Sequence, residues 1–159
     1  NYNPTADTNL FLRLTMFRFL AALVAVFAVA SACTQEIKSC GSGIASDVSF
    51  TSDPPFSTLK KGDNYNLRTC YTMSEEVTSG KAIEKGTLSG ITVLDKTEDL
   101  CTALAGTGGP CPLKKGPTCY TTPSTIDSSL PSGTLIGTST WETDSGDEIL
   151  CMTSTLCLQ

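Results

Sequence analysis

Residues 99–116 read D-L-C-T-A-L-A-G-T-G-G-P-C-P-L-K-K-G. Cys101 and Cys111 bracket a short loop, 102–110, that holds three glycines and a proline. A bridge between them would remove about 2.5–3 kcal/mol of unfolded-state entropy on the loop-closure account. Inside the loop, Gly106-Thr107-Gly108-Gly109 resembles a phosphate cradle in composition only. A P-loop needs a strand before it and a helix after it, and neither is expected at this place. Lys114-Lys115-Gly116 reads most simply as a turn leading into a strand, with lipid-headgroup or membrane contact as its functional alternative.

On either side of this stretch the pattern is that of strands. Residues 82–94 form an extended run broken by Gly86 and Gly90, and 118–126 follow on the other side. Further out, Val48 and Phe50 alternate with polar neighbours until Asp53-Pro54-Pro55 stops them. Tyr65, Leu67, Thr69 and Tyr71 fall on one face of a strand that starts at the Lys60-Lys61-Gly62-Asp63 turn. Residues 133–141 and 149–158 complete the set, with Leu130-Pro131-Ser132-Gly133 and Asp144-Ser145-Gly146-Asp147 as turns between them. Short strands with regular turns, rich in Thr and Ser, predict one all-β sandwich. No stretch of helical period is found in this part of the chain.

Towards the other end, residues 19–30 (FLAALVAVFAVA) are apolar, preceded by Arg13 and Arg18 and followed by Ala30-Ser31-Ala32. A positive flank, a short apolar run and small residues at its end predict a secretory signal peptide over 16–32, starting at Met16. Residues 1–15 then read as an untranslated leader or gene-model extension, and 33–159 as the mature domain. The run is too short to span a bilayer, which needs about 20 apolar residues. A buried core helix is the competing reading, and the ordered flanks disfavour it.

Export places the eight cysteines in an oxidising compartment, where an even count reads as a disulfide framework. The numbers of Cys40 and Cys151 sum to 191 and those of Cys33 and Cys157 to 190, so both pairs fit one antiparallel register within a residue. That would leave Cys70 with Cys119. Eight cysteines allow 105 connectivities, so spacing alone does not choose among them. A zinc site lacks its CxxC pairs and histidine, and no metal or cofactor is expected.

Composition narrows function further. The mature part carries 9 basic and 15 acidic residues, a net charge of −6. Without a basic patch, nucleic acid is not an expected partner. The chain has no histidine, which rules out a Ser-His or Cys-His nucleophile pair. Its clustered carboxylates (Glu75-Glu76, Asp95 with Glu98 and Asp99, Asp147-Glu148) lie beside turn residues and read as solvated loops. The chain is therefore not expected to be an enzyme.

Several of these pieces together resemble the ML lipid-recognition family. They are Cys40-Gly41-Ser42, Asp53-Pro54-Pro55, Leu59-Lys60-Lys61-Gly62, the 73–77 run MSEEV, the 94–101 run LDKTEDLC and the 111–116 run CPLKKG, with Trp141 and Ile149-Leu150-Cys151. The fungal phosphatidylglycerol/phosphatidylinositol transfer proteins are the most similar branch, and the Niemann–Pick type C sterol carriers and group 2 mite allergens are cousins. The resemblance covers about residues 40–158.

It implies an immunoglobulin-like sandwich of two antiparallel sheets, stapled by disulfides, with a lipid cavity between the sheets. It also implies the bridges Cys40–Cys151 and Cys101–Cys111. By position in the family, Ile91 and Val93 line the pocket, Ile126, Leu130 and Pro131 form its mobile rim, and Trp141 and Met152 its far wall. From the residues alone, sandwich core is the favoured reading of Ile91, Val93, Ile126, Leu130, Trp141 and Met152. The function so implied is a carrier that takes a phospholipid or sterol from one membrane to another. Its setting would be secreted, or the endosomal, lysosomal or vacuolar lumen. The expected partners are the lipid, a transient membrane contact and a membrane lipid-transport protein, with the carrier itself a monomer. The alternative is a secreted immunoglobulin-like recognition module without transfer activity.

Overall fold

The computed structural model describes residues 33–41 and 43–159. The leader and signal-peptide expectations for 1–15 and 16–32 lie outside these residues, as does Ser42 of the resemblance's first motif.

Eight strands form two antiparallel sheets. They are β1 (Glu36–Ser39), β2 (Ala45–Asp53), β3 (Asn64–Met73), β4 (Lys81–Leu88), β5 (Ile91–Asp99), β6 (Gly116–Thr125), β7 (Gly133–Glu142) and β8 (Glu148–Leu158). One sheet has the order β1-β8-β7-β4-β5, the other β2-β3-β6. The expected all-β sandwich is what forms.

Alternation explains the local choices. On β3, Thr69, Tyr71 and Met73 are buried while Asn66 and Arg68 are exposed, the period-2 pattern of a strand with one face on a core. The 82–94 run is not one extended strand. It folds back at Ser89-Gly90, both with positive φ (49° and 85°), so that Leu88 pairs with Ile91 across a two-residue loop. Gly90 suits such a turn at no steric cost. β1 pairs with β8 in a register whose residue numbers sum to 191, as in Glu36 with Thr155 and Ser39 with Met152. The Cys40 amide continues this ladder, donating to the Cys151 carbonyl at 3.0 Å.

A helix, α1 (Leu100–Thr107), corrects the expectation that no helical stretch occurs in the domain. It lies inside the Cys101–Cys111 loop, immediately after β5. Asp99 caps it by accepting from the Thr102 amide at 2.8 Å, and Gly108 ends it in the left-handed region at φ 73°. Leu100 and Leu104 are its buried face. The 106–109 glycine segment is thus the C-terminal end of a helix, the negative pole of its dipole and the wrong end for a phosphate. The carboxylates at 95, 98 and 99 belong to β5 and its junction with the helix rather than to a solvated loop.

Four bridges staple the domain: Cys33–Cys157, Cys40–Cys151, Cys70–Cys119 and Cys101–Cys111. Cys70 and Cys119 are register partners on β3 and β6. Between the sheets the buried side chains divide into two clusters. One contains Tyr71, Met73, Leu100, Leu104, Leu113 and Trp141, at the end where α1 packs. The other contains Phe56, Leu59, Leu88, Ile126, Leu156 and Leu158, at the opposite end.

Candidate functional site

A sandwich of this size normally has one contiguous core. Here the two clusters are separated by a middle belt, and on the five-stranded sheet the inward-facing residues of that belt are small or polar. On β4, the inward positions run Ala82, Glu84, Gly86, Leu88; Ala82 belongs to one cluster and Leu88 to the other. On β7, Gly137 and Ser139 lie between Leu135 and Trp141, and on β8 Ser154 lies between Met152 and Leu156. Gly86 pairs with Gly137, and Gly137 with Ser154, so these three stand side by side across the sheet.

Above Gly137 the row leaves room, whereas Gly86 is buried against its own sheet. A Cβ placed on Gly137 would meet only Ser154 Oγ, at 3.0 Å. One placed on Gly86 would meet Leu94, Val93 and the Ile136 carbonyl, all of its own sheet. No atom of the opposing sheet is among the three nearest to Gly86, and none lies within 4 Å of Gly137. A glycine inside a strand often marks a place where another body approaches closely.

Burial agrees. Gly137, Ser139, Ser154 and Met152 on one sheet, and Phe50, Leu67, Tyr120 and Thr122 on the other, are only partly buried. The residues at the two ends are buried outright. A filled sandwich would show the reverse.

Three aromatic rings close the gap at the α1 end. Tyr71 of β3 meets Trp141 of β7 edge-on at 6.2 Å between ring centroids, and Tyr120 of β6 at 6.4 Å. Burial pushes the Tyr120 hydroxyl up to about 12, with a hydrogen bond to Thr69 pulling it partly back. Burial also pushes Tyr71 up, aided by the neighbouring Tyr120. Both phenols stay neutral at any physiological pH. Tyr71 Oη is buried without a hydrogen-bond partner, and so is Ser52 Oγ.

One long side of the gap is the edge strand β5, which is exposed along nearly its whole length. Leu94, Lys96 and Glu98 pair with Gly86, Glu84 and Ala82 and therefore share the inward face. Lys96 Nζ lies 2.7 Å from Glu98 Oε1. That hydrogen bond, with the Glu98 and Glu84 charges, holds Lys96 firmly protonated. This side of the gap is therefore apolar at Leu94 and charged at Lys96.

The seven residues proposed for the pocket do not form one patch. Ile91 and Val93 are 71% and 53% exposed on β5, at the open side. Ile126 is buried in the second cluster, Leu130 packs against it, and Pro131 is exposed beside them. Trp141 and Met152 stand at the first cluster. The resemblance implies a cavity between the sheets, but residue by residue the sequence does not point to these positions: Gly86 reads as a strand break, and Gly137 and Ser154 carry no role. The signal available was a glycine or serine at an inward position of each of three adjacent strands.

A surface groove of about 610 Å³ lies elsewhere, lined by Cys33, Gln35, Ser57, Thr58, Leu59, Lys60, Cys157 and Gln159. Its polar wall, with Gln35 Nε2 spent on the carbonyls of Ser57 and Leu59, suits an apolar tail poorly. Among the described residues no three His, Cys, Asp or Glu side chains are placed to hold a metal ion. No described helix is long and apolar enough to cross a membrane.

Solved structures share this architecture. A Niemann-Pick type C2 protein from Japanese carpenter ant is 17% identical, with a TM-score of 0.57 over 78% of this chain and 99% of its own. Chicken MD-1, solved in complex with lipid IVa, is 18% identical, with a TM-score of 0.51 over 77% of this chain and 97% of its own. At such identities the likeness is one of fold. No curated protein matches the chain. The family model of the ML domain matches residues 31–158, and on that match the chain belongs to the ML-domain family.

Proposed function

We propose that this chain is a lipid carrier that shelters the apolar part of a phospholipid or sterol in the gap between its sheets. The room above Gly137, with the partial burial of Ser139, Ser154, Leu67 and Thr122 around the middle belt, carries the reading, because an apolar ligand could fill it. ML-domain membership supports it, as does the architecture shared with a Niemann-Pick type C2 protein and with an MD-1 seen holding lipid IVa. Each CH₂ moved from water into such a gap contributes about 0.8 kcal/mol, so an acyl chain or sterol nucleus needs no covalent chemistry to be held.

The carrier would work in an oxidising compartment, secreted or in the endosomal, lysosomal or vacuolar lumen, where four disulfides persist. Ile91, Val93 and Leu94, exposed along the open side, suit a transient contact with a membrane surface during loading. Handover to a membrane lipid-transport protein, and action as a monomer without enzymatic activity, complete the proposal.

Organic extraction and mass spectrometry of protein purified from its producing cells test it, together with transfer of fluorescent lipid between vesicles. Bound lipid and transfer are expected. Lipid bound without transfer would favour the recognition-module reading, and no lipid under any condition would end the carrier reading.

A further inference from the structure

One side chain, Gln35, grips both sheets at the end of the domain away from α1. It precedes β1 and stands two residues after Cys33, whose bridge to Cys157 fixes that segment on β8. The Gln35 Oε1 accepts from the Cys157 amide at 3.0 Å, on the five-stranded sheet. Its Nε2 donates the other way, to the Ser57 carbonyl at 3.0 Å and the Leu59 carbonyl at 3.1 Å. Ser57 and Leu59 belong to the connection between β2 and β3, both strands of the three-stranded sheet. Both donors and the acceptor of one amide are thus spent across the seam.

That connection carries a plug. It turns through a short 3-10 helix, Phe56–Thr58, and Phe56 and Leu59 are buried. They pack in the second cluster with Leu88 of β4 and with Leu156 and Leu158 of β8. Two side chains from the smaller sheet's connection therefore fill the space in front of the larger sheet. No strand pairing joins residues 56–59 to that sheet. The groove of about 610 Å³ lined by Gln35, Ser57, Leu59 and Cys157 runs along this seam. An exposed bond from Lys61 Nζ to Ser132 Oγ, at 3.2 Å, also crosses this end.

The two kinds of contact respond differently to opening. Apolar contact is non-directional, so Phe56 and Leu59 can exchange their neighbours for the tail of a ligand. The three bonds of Gln35 are directional and break together when the connection moves. Their base is fixed, because the Cys33–Cys157 bridge holds Gln35 to β8 whichever way residues 56–59 go.

Resting on the carrier reading, we propose that residues 56–59 are a gate at this end of the domain and that Gln35 is its latch. The latch sets how fast a lipid enters and leaves. It is closed in the empty and in the loaded protein alike, so it raises the barrier in both directions. Affinity depends on the difference between those two closed states, from which the latch cancels.

The test compares the parent with Gln35→Met, which keeps the length and loses every hydrogen bond, and Gln35→Asn, which keeps the amide but is too short to span the seam. Asp99→Ala, which removes the cap of α1 at the far end, controls for general loosening. The probe is a pyrene-labelled phosphatidylglycerol in phosphatidylcholine vesicles, with loading and release followed separately by stopped flow. Amide hydrogen exchange reads residues 57–60 and 157 in the same variants. Both Gln35 variants should load and release about fivefold to tenfold faster than the parent, with the dissociation constant unchanged. Their amides at 57–60 and 157 should exchange faster, and Asp99→Ala should keep the parent's rates.

Unchanged amide exchange in both Gln35 variants overturns the latch. Faster exchange at 57–60 with unchanged lipid rates overturns the gate, since the ligand then passes elsewhere. Faster release without faster loading also overturns it and would make Gln35 a ligand contact. Equal acceleration in Asp99→Ala would mark a loosened fold and overturns it as well. A parent that takes up no lipid ends the carrier reading and the gate together, whereas a parent that binds, with variants that match it, ends only this inference.

Discussion

A valine at Gly137 would put two methyl groups into the space between the sheets, where its Cβ would meet nothing but Ser154 Oγ at 3.0 Å. Valine also suits a strand better than glycine does. Gly137→Val should therefore melt at or above the parent while lipid uptake from vesicles falls at least tenfold. Uptake at the parental level would place the ligand elsewhere than the gap. The same residue shows where sequence reading stops. Inward-facing Leu135 and Trp141 look like core in any sandwich, and the glycine between them looks like a weakness in the strand. Its sense comes only from what stands opposite, across a distance no local pattern encodes. Tyr71 is similar. Alternation with Leu67 and Thr69 places it on the inner face, but that its hydroxyl lacks a partner depends on Tyr120 and Trp141, which approach it from two other strands.

At the level of elements, most strands were readable, but β1, the β4–β5 hairpin and the helix were not. Alternation over about ten residues, as on β3, leaves a pattern that survives in a single sequence, and Ser89-Gly90 is a hairpin turn by its residue types. α1 has only eight residues with Leu100 and Leu104 as its buried face, too few turns for a period to be measured. Its caps were the better signal: Asp99 three residues before Thr102, and Gly108 after the last turn. The cap makes an acid-range prediction. The Thr102 amide holds the Asp99 carboxyl below its ordinary value of 3.8. The folded state thus releases this proton more readily than the unfolded chain. The cap's contribution is complete above the unfolded value and fades as pH falls through the folded one. Asp99→Asn, which caps without charge, should melt close to the parent at neutral pH and lose less on acidification. Asp99→Ala should melt a few degrees lower at neutral pH. If both variants follow the parent's melting curve from neutral pH down to pH 3, the cap is not holding the helix.

Across the whole molecule, the connections between the sheets are unevenly placed. Those from β1 to β2, β3 to β4 and β5 to β6 all cross at the end where α1 and the first cluster lie. The Cys101–Cys111 bridge strengthens that end, as do reciprocal hydrogen bonds between Val77 and Leu113, both 2.9 Å. At the other end one chain crossing, residues 126–132 between β6 and β7, joins the two sheets among the described residues. The other three bridges, Cys33–Cys157, Cys40–Cys151 and Cys70–Cys119, each tie positions within or beside a single sheet. The chain therefore crosses between the sheets three times at one end and once at the other, where the second cluster and the Gln35 hydrogen bonds, rather than ladders or disulfides, also resist splaying. Within a sheet the bridges act on stability. Cys40–Cys151 closes a separation of 111 residues, and its loss should cost about 4–5 kcal/mol on the loop-closure account. Replacing both cysteines by alanine should then lower the melting temperature far more than replacing Cys101 and Cys111, whose separation is 10. The reverse order would show that the Cys101–Cys111 bridge matters more to the fold than chain entropy allows. The chain crossing at the second cluster's end carries Ile126, Leu130 and Pro131, the proposed rim of the gap. Leu130 is only partly buried, so a carboxylate there can still reach water in the empty protein. Against a bound acyl chain it could not, and an unpaired charge in that place costs several kcal/mol. Leu130→Asp should therefore fold, keep its disulfides and lose at least tenfold in lipid transfer between vesicles. Lys114→Ala, which removes an exposed ion pair with Glu76 at the α1 end, is the control and should transfer as the parent does. A folded Leu130→Asp that transfers normally would mean that lipid passes along β5 instead, past Ile91 and Val93.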